Sequence, residues 1–243
     1  MHKFRYFWNR TGAILLFGVC VATLYFYQLG ILLLPLYLKH HDGIHGKAAL
    51  HAAMHAYDPL LAGITIILAV VQITLLYSLY RHQLRKRNPL RIGRKPFHLE
   101  ELFFLVAMYG LVLLANYAVA RFGTPQNQSD VLAEMKILPW TLFFMAGVLA
   151  PFIEELIFRG VFMNLFWQKD NRLNNVAAVV CSGLLFGAMH EPHLSVFLLL
   201  YSSLGMVLAY TYRRQRDLRY NIGLHMFINF LPAVAGLLRA FLG

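Results

Sequence analysis

The chain has 243 residues, 59% of them hydrophobic and only 14% charged, and its mean hydropathy of +0.56 excludes an ordinary soluble globular domain. A net charge of +11 would suit a nucleic-acid binder, but the basic residues sit between long apolar runs, so nucleic acid is not an expected partner. The expectation is an integral, polytopic, all-α membrane protein surrounded by membrane lipids.

Seven apolar runs cover residues 11–38, 59–80, 102–120, 138–167, 173–189, 194–212 and 220–242, and a helical span needs roughly 17 to 25 residues. The runs are leucine-rich and lack alternation, which favours helices over a barrel. They predict about seven transmembrane helices in one membrane domain: N-terminal helices and loops over 1–137, and a C-terminal part over 138–243 that holds nearly all the polar residues found within spans.

The first run follows Asn9-Arg10 and is too long for the core of a signal peptide. Gly30 and Pro35 predict a kink or early stop in it. Next comes a histidine-rich segment with His40, His41, His45, His51 and His55, in which the pairs His41/His45 and His51/His55 have a spacing that would share a helical face. An outer metal site and a polar interfacial loop both fit. The loop is the reading taken, because histidine content is only compositional evidence for metal.

The second run ends in Arg81, Arg85, Lys86, Arg87, Arg91, Arg94 and Lys95, broken by Pro89 and Pro96. This reads as a cytoplasmic linker attracted to anionic headgroups. Glu100 and Glu101 open the third run and are expected to cap its helix. Residues 121–139 predict an outer loop with a short helix from Asp130 onward.

Lys3, Arg5 and Arg10 precede the first run, Lys169 and Arg172 follow the fourth, and Arg213, Arg214, Arg216 and Arg219 follow the sixth. Basic clusters thus occupy every second connection, which predicts a cytoplasmic N-terminus and an outer C-terminus, here in a bacterial inner membrane. Cys20 and Cys181 lie inside spans without a CxxC spacing and carry no redox information.

The fourth run contains Glu154, Glu155 and Arg159. A charged side chain near mid-bilayer costs about 2.5 to 3.5 kcal/mol on insertion scales, so such a cluster points to function. Glu155 and Arg159 are four residues apart and can pair; Glu154, about 100° around the helix, has no local partner. The fifth run ends in Phe186-Gly-Ala-Met-His190 before Glu191, Pro192 and His193, and the seventh carries His225-Met-Phe-Ile-Asn229. The sixth offers Ser202, Ser203 and Gly205, suited to close helix packing.

Two chemistries fit this set. Glu154 can act as general base on a water, with His190, His225 and Asn229 orienting the water or the oxyanion. Alternatively Glu154, His190 and His225 hold a divalent metal such as zinc, with one position open for water. A rival class is a proton-coupled transporter, although no second copy of the polar motif stands in the N-terminal half. A non-catalytic scaffold or immunity factor is a further alternative.

The three motifs, Glu154-Glu155-Leu-Ile-Phe-Arg159, Phe186-Gly-Ala-Met-His190 and His225-Met-Phe-Ile-Asn229, resemble in order and spacing the CPBP or Abi family of intramembrane proteases, which is related to the type II CAAX prenyl endopeptidases. The resemblance covers roughly residues 138 to 235. It implies peptide-bond hydrolysis on a membrane-associated or lipid-modified protein or peptide. Glu154 would activate the water, Glu155 and Arg159 would support the site, His190 and His225 would complete it, and Asn229 would stabilise the oxyanion. The metal-free form is the one favoured. Glu191 and His193 are an addition to the family pattern and bring extra candidate ligands.

One difficulty is depth. At about 1.5 Å per residue, Glu154 lies roughly 24 Å from the start of its run, His225 about 8 Å into its own and His190 about 25 Å from the inner end of its helix. Straight helices would keep them apart. Tilting, a projecting fourth helix or a water-filled cavity would bring them together.

Overall fold

A computed structural model of the chain describes residues 2–242, with side chains from Arg10 onward; Lys3 and Arg5 lie outside the described side chains. Among the described residues the regular structure is helical throughout, without strands. Seven helical stretches are long and apolar enough to cross a membrane: Arg10–His40, Asp58–Lys86, Leu99–Phe122, Pro139–Phe166, Arg172–His190, Val196–Gln215 and Leu218–Leu242. The chain is an all-α polytopic membrane protein.

We number the helices α1 (His2–Ala22), α2 (Leu29–His40), α3 (Lys47–Ala56), α4 (Asp58–Lys86), α5 (Leu99–Val119), α6 (Gln126–Met135), α7 (Pro139–Phe166), α8 (Arg172–His190), α9 (Val196–Gln215) and α10 (Leu218–Leu242). The break expected at Gly30 and Pro35 lies earlier. Between α1 and α2 the chain tightens into a 3-10 turn over Thr23–Gln28, and α2 continues through Pro35. The cause is tertiary: Gln72 of α4 donates from Nε2 to the Thr23 carbonyl at 2.7 Å, so that oxygen has a partner outside its own helix. Gly30 serves packing instead, since a Cβ there would stand 3.2 Å from a Leu61 methyl.

His41 and His45 do not share a helical face, because α2 stops at His40 and α3 starts only at Lys47. His51 and His55 both lie on α3. His41 stacks on Tyr37 and pairs with Asp42 at 2.8 Å; the His55 ring bonds the Ile137 carbonyl at 2.9 Å. The capping expected at α5 is present: Glu101 accepts from the His98 backbone N–H at 3.0 Å. Helix α6 starts at Gln126, four residues before the expected Asp130, directly after Pro125.

Two devices set the position of α7. Asp58, buried at the start of α4, accepts from the backbone N–H groups of Trp140 and Thr141 at 2.9 and 3.0 Å and from the Thr141 hydroxyl at 2.6 Å. Its carboxylate therefore satisfies the orphan donors at the N-terminus of α7. The body of α7 is then packed from all sides, with Ile153, Leu156, Ile157, Phe158, Val161 and Met163 at most 1% exposed. Over half of its apolar window, 56%, is buried, against 6% for α5, which is peripheral.

Helices α8 and α9 form a tight hairpin. A Cβ at Gly187 would fall 2.8 Å from the Ser202 backbone nitrogen, and one at Gly205 would fall 2.9 Å from the Gly183 Cα. Small residues let the two backbones approach, as membrane helix pairs require. At the basic end, the segment after α4 is pinned rather than loose. Gly93 N–H donates to the Arg216 carbonyl at 2.9 Å, Lys95 N–H to Asp217 at 2.8 Å, and the Tyr220 hydroxyl to the Pro96 carbonyl at 2.8 Å.

Candidate active site

Helix α7 is not a regular α-helix. It widens into π-helical turns over Met145–Leu149 and Glu155–Met163, with one α-helical stretch, Ala150–Glu154, between them. Such widened turns concentrate at functional sites. Glu154 closes the α-helical stretch and Glu155 opens the second wide turn, so the adjacent carboxylates point into different surroundings.

Glu155 is the interior one, with no exposed surface. Its Oε1 accepts from Arg159 Nη1 at 3.0 Å and from His225 Nδ1 at 2.9 Å, while Oε2 accepts from Asn221 Nδ2 at 3.3 Å. Arg159, equally buried, uses Nη2 to donate to the Gly205 carbonyl of α9 at 2.8 Å and lies over the Phe186 ring with its Cζ 4.9 Å from the centroid. The pair is thus neutralised and hydrogen-bonded inside the bundle, as buried charges must be.

Glu154 is the free one. Its Oε2 is buried and receives no hydrogen bond from the protein, and it lies 3.9 Å from Nε2 of both His190 and His225. The state of those imidazoles follows from their other nitrogens. His225 Nδ1 faces a carboxylate oxygen and His190 Nδ1 faces the Phe186 carbonyl at 2.9 Å, so each Nδ1 is the donor nitrogen, and in the neutral imidazole this leaves Nε2 bare. Three acceptor atoms therefore face one point, and a group with protons or positive charge is what satisfies them. His190 is held flat between Phe186 at 4.3 Å and Tyr201 at 5.1 Å, both stacked. The Glu154 and His190 side chains are 15% and 20% exposed against 2% for His225, which marks the accessible side.

The three side chains meet despite their different distances from the helix starts. Helix α8 ends at His190, at the level of a residue in mid-α7 and another near the start of α10.

Glu154, Glu155, Arg159, His190 and His225 are brought together. Asn229 lies one turn beyond His225 and donates from Nδ2 to the Ala146 carbonyl in the first wide turn of α7 at 3.2 Å. Glu191 and His193 follow the end of α8 and bond to no site residue among the described residues. The sixth span, read as packing alone, also supplies the Gly205 carbonyl and the Tyr201 ring. Asn221 was not singled out in the sequence; its place four residues before His225 is the signal that would have found it. Phe186, the aromatic of the second motif, has a visible job as the platform for His190.

Glu154, His190 and His225 have the donor chemistry of a zinc site. Their oxygen-to-nitrogen separations of 3.9 Å exceed the roughly 3.4 Å between ligands of a tetrahedral zinc with bonds near 2.0 to 2.1 Å. Among the described residues no group of three His, Cys, Asp or Glu side chains stands at metal-holding distances as arranged, and holding a zinc ion would need these side chains to close by about half an ångström.

Comparison with known proteins agrees with the motifs. Residues 136–231 match the family model described as type II CAAX prenyl endopeptidase Rce1-like. The chain is 26% identical over 129 residues to "Putative membrane peptidase YdiL" of Bacillus subtilis, covering 52% of this chain and 50% of that protein. It is 28% identical over 137 residues to "UPF0177 protein YvdC" of Lactococcus lactis, covering 56% and 50%. The chain thus spans about half the length of these curated relatives, and no solved structure matches it. Residues 136–231, which carry the three polar motifs on α7, α8 and α10, are thus similar to the type II CAAX prenyl endopeptidase Rce1-like family.

Proposed function

We propose that the chain is an intramembrane endopeptidase that hydrolyses a peptide bond of a membrane-associated or lipid-modified protein or peptide, with Glu154 as general base. The observation that carries this reading is Glu154 Oε2, buried without a protein donor and 3.9 Å from two bare imidazole nitrogens. A water at that point gives one proton toward Glu154 and the other toward an Nε2, which turns its oxygen lone pair to the substrate.

As the water oxygen bonds to the scissile carbonyl carbon, Glu154 takes the proton and the carbonyl electron pair moves onto oxygen. Collapse of the tetrahedral intermediate restores the carbonyl and breaks the C–N bond, and Glu154 passes its proton to the leaving nitrogen. The products are a new carboxyl and a new amine, and Glu154 is regenerated. Asn229 spends one amide N–H on Ala146; its second is the donor for the oxyanion. Glu155 holds the His225 tautomer, and Arg159 offsets its charge. A divalent metal, if bound by Glu154, His190 and His225, would supply a polarising charge at the water; the metal-free form is the one proposed.

The basic ends of α4 and α9 are read as the cytoplasmic side, with the N-terminus there and the C-terminus opposite. The test is cleavage of membrane-anchored peptides by purified protein in liposomes, measured beside Glu154→Gln.

A further inference from the structure

Asn221 stands four residues before His225 and eight before Asn229, so one face of α10 carries all three. It has no exposed surface. Its Nδ2 donates to Glu155 Oε2 at 3.3 Å and to the Leu208 carbonyl of α9. Both atoms at that end are acceptors without protons of their own, which places the amide nitrogen there and leaves Oδ1 on the other side. Oδ1 is buried and has no partner. Burying an unpaired carbonyl oxygen costs stability, and an apolar side chain of the same size would avoid that cost. Packing alone does not account for an asparagine at this position.

We propose that Asn221 is a positioning residue of the active site: it holds Glu155 Oε2 so that Oε1 faces His225 Nδ1 and His225 Nε2 stays bare and aimed at Glu154. This rests on the hydrolytic reading of Glu154, His190 and His225. The geometry explains why Arg159 does not suffice. Arg159 and His225 share one oxygen, Oε1, and Asn221 is the group that holds the other. The terminal torsion of a glutamate is broad and roughly two-fold, so a carboxylate gripped through a single oxygen turns about it. Asn221 supplies the second grip and ties it to the α9 backbone through Leu208. The line from Leu208 through Asn221, Glu155 and His225 to Glu154 is thus held at its far end by main chain.

The experiment uses the full chain in lipid nanodiscs. ¹⁵N-histidine NMR reads the imidazole tautomer, with the His225 signals assigned by their loss in His225→Gln. Wild type is expected to show His225 protonated at Nδ1 and bare at Nε2. Asn221→Leu removes both donors at similar volume; the His225 signals should move to a mixture of tautomers. With a pool of internally quenched, membrane-anchored peptides as probe, kcat should fall roughly 10- to 100-fold, the usual cost of losing an outer-shell partner, with KM within about twofold. Asn221→Thr, whose hydroxyl is too short to reach Glu155, gives the same test if the leucine variant does not fold.

A folded variant with the wild-type tautomer and unchanged kcat would reduce Asn221 to packing, and a wild-type His225 protonated at Nε2 would overturn the proposal outright. If wild type and Glu154→Gln are equally inert toward peptides, the hydrolytic reading fails, while the tautomer measurement still decides the role of Asn221.

Discussion

Glu155 and His225, 70 residues apart in the sequence, meet through Oε1 and Nδ1 at 2.9 Å, and the same carboxylate oxygen takes Arg159 Nη1 at 3.0 Å. Glu155 is therefore more than the neutralising partner of an arginine one turn away. It fixes which nitrogen of His225 is bare, and thereby what faces Glu154. A buried ion pair and a hydrogen-bonded histidine are one unit here, and breaking any member leaves the others unpaired.

Arg159→Met should destabilise the protein by about 3 to 5 kcal/mol, because a fully buried Glu155 loses its counter-charge and the Gly205 carbonyl loses its donor. Thermal unfolding in detergent measures this. Arg159→Lys should recover only part of the loss, since one ammonium cannot reproduce the two-pronged reach from Glu155 to Gly205. An unfolding midpoint equal to wild type in Arg159→Met would show that the pair contributes nothing.

Gly187→Ala should be severe although it adds a single methyl. The new Cβ would meet Ser202 backbone nitrogen at 2.8 Å, and backbone cannot yield as a flexible side-chain end can. Helix α8 must move off α9, and His190, one turn further, moves with it. Gly223→Ala, on the helix that carries His225, meets nothing within 4 Å and should match wild type or gain up to about 1 kcal/mol from helix propensity. Comparing expression, unfolding midpoint and cleavage for the two variants separates crowding from a general intolerance of glycine replacement.

What was legible beforehand follows from the cost of polarity in a membrane. Glu154, His190 and His225 stand out because each is conspicuous in an apolar run, and so the site could be assembled without knowing the packing. The seven spans were legible for the same reason. The break at Thr23–Gln28 was not, because it depends on Gln72 reaching across from another helix, whereas Pro35 signals a stop and α2 continues through it. Asn221 lies near the start of its helix, where an asparagine is unremarkable in a sequence. Only the fold brings it to Glu155 and Leu208. The wide turns of α7 leave no trace in composition, although the four-residue spacing of Glu155 and Arg159 already set Glu155 apart from Glu154.

At the basic end, Asp217 ties α10 to the segment after α4. Burial pushes its carboxyl upward, but the Arg219 guanidinium and the N–H groups of Lys95 and Arg219 more than offset this and hold it below the ordinary carboxylate range. A lowered value in the folded state means that the stabilisation is fully present above the ordinary value near 3.9 and is lost as pH falls through the lower, folded value. The clasp should thus be unchanged from about pH 5 to 8. Asp217→Asn should lower the unfolding midpoint at pH 7 and flatten its decline in acid, as followed by unfolding scans across pH. A variant with the wild-type acid limb would remove Asp217 from that account.

Chelation addresses the metal directly. Protein dialysed against a strong chelator and assayed for both zinc content and cleavage should keep its activity with zinc well below one equivalent. Activity that disappears with the metal and returns on adding zinc would instead make Glu154, His190 and His225 ligands, with their 3.9 Å separations closing on binding.

The most direct measurement is the cleavage rate of Glu154→Gln in liposomes beside wild type, with both proteins shown to unfold at the same midpoint. The glutamine keeps the shape of the side chain but cannot accept the proton of water, so the rate should fall by at least about 100-fold, the usual worth of a general base. A Glu154→Gln protein that cleaves at the wild-type rate would contradict the account.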